Sequence, residues 1–172
     1  EEGQLMSVST PAGGMFSYEY GPEGKLRSVT NPRGITTVEN TFDERMRTVR
    51  QTFPDGSSMS YAYDDEKRTV ELTERNGAKT TYVHDEKFRD IRHTDSEGTE
   101  SFEYNKLNQK TLHVDKLGRK TQYGYDEKGN LTRVINALGI KTEIRYGEGD
   151  RPVSIRIDGQ EKIHYAYNEA GD

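Results

Sequence analysis

Apolar and polar positions alternate along this chain in short runs, and the runs recur. The stretch Tyr123-Gly124-Tyr125-Asp126-Glu127-Lys128-Gly129-Asn130-Leu131-Thr132-Arg133-Val134-Ile135-Asn136-Ala137-Leu138-Gly139 shows the pattern most plainly. Tyr123 and Tyr125 alternate with small or polar neighbours, which predicts a half-buried strand. Asp126 to Gly129 suits a tight turn: Asp can bond its own backbone, and Gly tolerates positive φ. Leu131 to Ile135 is rich in β-formers and predicts the return strand. Asn136 to Gly139 predicts a second turn of the same kind.

The pattern has a period. With the aromatic residue before the turn-opening Asp as position zero, that position falls at Tyr20, Phe42, Tyr63, His84, Tyr104, Tyr125, Tyr146 and Tyr167. The steps are 22, 21, 21, 20, 21, 21 and 21 residues. Two residues earlier stand Tyr18, Asn40, Tyr61, Tyr82, Phe102, Tyr123, Ile144 and Tyr165, so all 11 tyrosines lie in two columns. The residue after position zero is Gly21, Asp43, Asp64, Asp85, Asn105, Asp126, Gly147 or Asn168, all turn formers. The second turns end at Gly34, Gly56, Gly77, Gly98, Gly118, Gly139 and Gly159. Self-similarity at such a period signals a repeat architecture, in which each element buries its apolar face against the next.

Residues 1–15 read as the end of a preceding repeat, with Gly14 closing its turn. Residues 16–172 read as about eight repeats, starting near 16, 38, 59, 80, 100, 121, 142 and 163, in one continuous module. The first turn carries Gly24 or Gly129 in repeats one and six, where φ > 0 is expected, but Met46, Lys67 and Phe88 in repeats two to four. The return strands shift in step: Leu26 with Val29 and Leu131 with Val134 in one group, Val49, Val70 with Leu72, and Ile91 in the other. Either the strand faces slip by one residue, or the glycine turn absorbs a bulge and the other repeats use a different loop. No segment holds a 3.6 period, so essentially no helix is expected. The predicted fold is all-β: tandem repeats forming a curved, twisted antiparallel hairpin ribbon, with the tyrosine columns on one face and each ring against the ring of the next repeat.

Composition narrows the picture. Only 30% of the 172 residues are hydrophobic and mean hydropathy is -1.06, too polar for a thick core but sufficient for a thin layer between repeats. The 32% charged residues give a net charge of -5 with both signs interleaved, which argues against a nucleic-acid surface. No apolar run is long enough to span a membrane. Cys is absent, so no disulfide framework exists. The chain begins at Glu1 and stops within a repeat, and is read as a piece of a longer protein whose unpaired terminal strands could self-associate.

Candidate chemistry is sparse. His84 occupies the aromatic column. His93 and His113 share a repeat position and are read as sheet-face imidazoles rather than a zinc pair. The acidic turns Asp64-Asp65-Glu66 and Asp85-Glu86 recur at rims and do not gather oxygens as a calcium loop does. No nucleophile motif, phosphate loop or dinucleotide fingerprint is present, so no cofactor, metal or catalytic residue is assigned and a non-enzymatic role is expected. Asn130-Leu131-Thr132 is a formal glycosylation acceptor, meaningful only in a eukaryotic secreted protein. The tyrosines could stack on surface glycans, although their periodicity favours an inter-repeat layer.

The pattern Tyr-x-Tyr-Asp-x-x-Gly-x-Leu-x-x-Val, followed by Asn/Asp-x-x-Gly, resembles the YD repeat of rearrangement-hotspot (Rhs) proteins, and is similar to repeats of toxin-complex shells and teneurins. Residues 123–139 match nearly throughout, and 16–34 and 102–118 match well. The resemblance implies a β-sheet ribbon that, in a full-length polymorphic toxin, spirals into a hollow shell around a C-terminal toxin domain. It implies adjoining repeats as partners and a secreted or cell-surface, bacterial location. In teneurins the shell belongs to an extracellular adhesion receptor, so a glycan- or cell-surface-binding module is the alternative. The chain shows repeats alone. It lacks the family's plug and Asp-Pro self-cleavage region, so encapsulation is implied only for a parent protein.

Overall fold

A computed structural model describes residues 3–21 and 24–168. The chain divides into two compact bodies, Glu1–Val83 and His84–Asp172. The first holds β1 (Ser7–Ser9), β2 (Met15–Tyr20), β3 (Leu26–Thr30), β4 (Thr36–Phe42), β5 (Thr48–Thr52), β6 (Ser58–Asp64), β7 (Thr69–Thr73) and all but the last residue of β8 (Lys79–His84). The second holds β9 (Asp90–Asp95), β10 (Gly98–Tyr104), β11 (Lys110–Val114), β12 (Lys120–Tyr125), β13 (Leu131–Ile135), β14 (Lys141–Tyr146), β15 (Pro152–Ile157) and β16 (Gln160–His164). Within each body every strand pairs antiparallel with the next in sequence. A three-residue 3-10 turn, Glu148–Asp150, precedes β15.

In most repeats the two turns share one construction; the second turns of repeats four and seven are instead two-residue hairpins, pairing Asp95 with Gly98 and Ile157 with Gln160, so Gly98 begins β10 rather than closing a turn. The turn-opening residue accepts from the N–H three residues on and donates its own N–H to the carbonyl four residues on, as in Asp126 with Gly129 and Asn130, or Asn136 with Gly139 and Ile140. Its side chain closes the loop a second time. Asp126 Oδ1 accepts from the N–H groups of Lys128 and Asn130, and Asn136 Oδ1 from those of Leu138 and Ile140. This is why Asp or Asn recurs there, and the fourth residue must enter the left-handed region. Gly129 does so with φ 93°.

The two open readings of repeats two to four resolve differently. Met46 and Phe88 take the glycine's place with φ 61° and 58°, so repeats two and four use the same loop as repeat six, at a conformational cost. Asn108 does likewise in repeat five, with φ 63°. A bulge follows in repeats one, two, five, six and seven, at Glu19/Tyr20, Thr41/Phe42, Glu103/Tyr104, Gly124/Tyr125 and Arg145/Tyr146. The bulge inverts strand parity, which is how Leu26 and Val29, three residues apart, oppose Tyr20 and Tyr18 on one face. Repeat three alone in the first body has a different loop: its hairpin is unbulged, pairs Asp64 with Thr69, and places Arg68, not Lys67, at φ 53°. Its Val70 and Leu72 therefore reach the tyrosine face at simple alternation. The N-terminal turn is also corrected. Gly13, with φ 79°, closes it by donating to the Thr10 carbonyl, while Gly14 accepts from the Thr10 N–H and donates its own N–H to Thr10 Oγ1.

Among the described residues no apolar side chain is buried; only Ser28 and Ser154 are, at 6% and 4% exposure. In each body the strands form one layer with no opposite layer to bury against, so ladders, clips and ring faces carry the packing.

Candidate functional site

The aromatic columns form the repeated feature of the molecule. Their position-zero hydroxyls each reach back one repeat. Tyr20 donates to the Leu5 carbonyl at 2.9 Å, Tyr63 to Thr48 at 2.9 Å, Tyr104 to Asp90 at 2.9 Å, Tyr125 to Lys110 at 2.8 Å, Tyr146 to Leu131 at 3.0 Å and Tyr167 to Pro152 at 2.7 Å. The acceptor is at the start of the preceding return strand, or, for Leu5, two residues before it. There the strands splay: the β11–β12 ladder stops at Leu112 with Gln122, short of Lys110. A carbonyl left without a ladder partner needs another donor, and the tyrosine supplies it.

Two repeats depart from this. Phe42 has no hydroxyl, and the carbonyl it would have met, that of Leu26, accepts instead from Asn40 Nδ2 at 2.8 Å. Asn40 is the residue that breaks the second column, so the two irregularities compensate each other. In repeat four, position zero is His84, with Nδ1 2.9 Å from Asp90 Oδ1. It follows the unbulged repeat, where the β7–β8 ladder runs on to Thr69 with Val83 and leaves less splay to bridge.

The expectation that each ring rests on the ring of the next repeat is corrected. Position-zero residues are two strands apart, roughly 10 Å, and what lies over them is a side chain near the start of the intervening return strand. The Arg47 guanidinium sits 4.2 Å from the Tyr63 ring centre, Arg89 4.8 Å from Tyr104, and Arg151 5.6 Å from Tyr167. Arg47 also holds Asp43 of its own turn at 2.8 Å and Asp65 of the next at 2.7 Å. Arg89 holds Asp85 and donates to Asn108 at 3.0 Å. Further along this rim, Lys128 and Asn130 both reach Asp150, at 2.8 and 3.1 Å. The Arg89 side-chain hydrogen bond is the main cause of an Asp85 carboxyl lowered to about 2. Burial raises the phenols of Tyr63, Tyr104 and Tyr125.

The histidine pair that shares a repeat position does converge. His93 and His113 flank Phe102, with ring centres 5.2 and 5.1 Å away, and both face Glu100: His93 Nε2 lies 3.1 Å from one carboxylate oxygen and His113 Nε2 bonds the other. Sequence reasoning placed the imidazoles side by side but missed Glu100, whose role shows only once β9, β10 and β11 are in register. Among the described residues no three His, Asp or Glu side chains are arranged to hold a metal ion, and no helix is long and apolar enough to cross a membrane.

Residues 104–141 match the RHS repeat family model. Over that stretch the chain is similar to an RHS repeat. Its fold is that of toxin-complex proteins: over 99% of its length it superposes on the crystal structure of TcdB2-TccC3 without the hypervariable C-terminal region, with a TM-score of 0.68 and 17% identity. On the TcdB2-TccC3-Cdc42 structure the TM-score is 0.69, again with 17% identity and 99% of this chain covered. The chain spans 11% of the length of either of those proteins. No curated protein resembles it in sequence.

Proposed function

We propose that this RHS-repeat chain is a wall segment of a β-shell: a non-enzymatic structural module of a large secreted bacterial protein that encloses a C-terminal toxin domain and helps deliver it. The observation that carries this reading is the repeated clip between position zero and the preceding repeat. It ties each hairpin to its neighbour without a core, so the sheet can extend repeat by repeat and leave both faces available, as an enclosing wall requires. The likeness to TcdB2-TccC3 structures, one of them described as lacking a hypervariable C-terminal region, supports the same reading. The partners are then adjoining repeats and the enclosed domain.

The test is limited proteolysis of the parent protein. The region C-terminal to the repeats should resist protease while joined to them and be digested when expressed alone. Equal digestion in both settings would remove encapsulation. A glycan- or cell-surface-binding role has weaker support, because six position-zero hydroxyls already donate to backbone carbonyls. A glycan array with no saturable binder is the expected outcome.

A further inference from the structure

The face opposite the tyrosines has a charge mismatch in repeat six. The residue just before position zero points to that face and is opposed by the return-strand residue nine places on. In repeat one the pair is Glu19 with Ser28, and the Ser28 hydroxyl donates to the Glu19 carboxylate at 3.0 Å. In repeat six the pair is Gly124 with Arg133. Where repeats one and five have a carboxylate, at Glu19 and Glu103, repeat six has no side chain. The Arg133 side chain lies against this gap: a Cβ on Gly124 would come within 3.3 Å of Arg133 Cβ and Nε and 3.6 Å of Nη2.

Gly124 and Arg133 thus border a hollow of about 350 Å³, which Lys141, Glu143 and Arg145 also line. Glu143 stands directly across from Arg133 in the ladder but pairs with Lys141, at 2.7 Å. The Lys141 hydrogen bond is the first cause of a lowered Glu143 carboxyl, and the charges of Arg145 and then of Arg156, its ladder partner on the other side, add to it; Arg156 also lies 3.9 Å from Glu161. Arg133 and Arg145 make no hydrogen bond or ion pair within 4 Å among the described residues, and both are exposed. Arg133, Lys141 and Arg145 therefore gather beside one carboxylate, Glu143, while Arg156 on the far side also has Glu161. A guanidinium presents paired donors that match two oxygens of one anion.

We propose that this hollow is an oxyanion-binding site, taking a carboxylate, phosphate or sulfate group between Arg133 and Arg145 above Gly124. The site is independent of the shell reading, which requires no ligand on this wall. Where repeats one and five carry Glu19 and Glu103, Gly124 lets the Arg133 side chain lie over the strand, and no side chain of repeat six supplies its carboxylate.

The experiment is an NMR titration of the whole chain with sodium phosphate, sodium sulfate and sodium acetate, each against sodium chloride at equal ionic strength. The Nε–Hε signals of Arg133 and Arg145 and the Gly124 amide are followed. Saturable shifts with any of the three oxyanions, absent with chloride, are expected, and the strongest identifies whether a planar or tetrahedral group fits. Arg133→Gln should weaken binding about tenfold, the scale of a lost charge-assisted hydrogen bond. Gly124→Glu, which restores the carboxylate of repeats one and five on an extended strand, should abolish it. Arg145→Gln serves in place of Arg133→Gln if the amide spectrum shows that variant unfolded. Shifts that follow ionic strength alike for all salts, or that persist unchanged in Gly124→Glu, would overturn the site.

Discussion

The Tyr125 hydroxyl donates a 2.8 Å hydrogen bond to the Lys110 carbonyl, fifteen residues earlier and one repeat back. The ring crosses the place where the ladder between β11 and β12 has already ended. One side chain thereby ties two hairpins together and satisfies a backbone group that the splayed strands leave without a partner. Tyr125→Phe keeps the ring and removes only this bond. It should lower unfolding free energy by about 1 kcal/mol, since a half-buried carbonyl loses its donor. Urea denaturation with an unchanged m-value checks this; a variant as stable as the parent would show that water replaces the hydroxyl without loss.

The pairing of Asn40 with Phe42 offers a cleaner test, because two irregular residues replace one regular function. Asn40→Ala should cost about 1 kcal/mol by exposing the Leu26 carbonyl. Adding Phe42→Tyr should recover much of that loss, because the new hydroxyl falls where Tyr63 and Tyr125 reach their carbonyls. The double variant would then be strongly non-additive. Additive losses would mean that Asn40 and the tyrosine hydroxyls do not fill the same role.

Phe88 is 89% exposed and holds φ 58°. A left-handed conformation costs a non-glycine residue about 1 kcal/mol, and so exposed a ring contributes little packing in return. Phe88→Gly should therefore stabilise the protein by up to about 1 kcal/mol, and Gly129→Ala should destabilise it by a similar amount. Melting temperatures moving in opposite directions would confirm the shared turn geometry. A fall in both would assign Phe88 a contact that its exposure does not reveal.

Asp85 gives a pH prediction with a defined sign. Its carboxyl is lowered from 3.8 to about 2 in the folded state, mainly by the Arg89 side-chain hydrogen bond. A depressed folded value contributes stability above the unfolded value, and that contribution is lost as pH falls through the folded one. Stability should thus fall between about pH 4 and pH 2. Asp85→Asn keeps the oxygen that accepts from the turn N–H groups and removes the titration. It should be less stable than the parent at neutral pH and show a shallower loss over that window in urea midpoints measured against pH. Equal slopes would exclude Asp85 as a contributor.

The period, the hairpins and their turns were legible in the sequence because each is a local matter. The Asp126 carboxylate bonds N–H groups two and four residues on, the left-handed residue falls three after it, and strand alternation is a property of neighbouring residues. What lies between repeats was not legible. Whether Val29 or Val49 faces the tyrosines depends on a bulge, which inverts parity without any change in composition, and Met46 and Asn108 show that the bulged loop forms without the glycine that advertises it. The hydroxyl clip requires the strands of adjacent repeats to splay, which is set by where two ladders end. Asn40 reads as a defect in a column until the Leu26 carbonyl is seen in front of it. Glu100 between His93 and His113, and Arg133 over Gly124, likewise join residues on different strands, and only the register of the folded sheet decides which side chains meet across them.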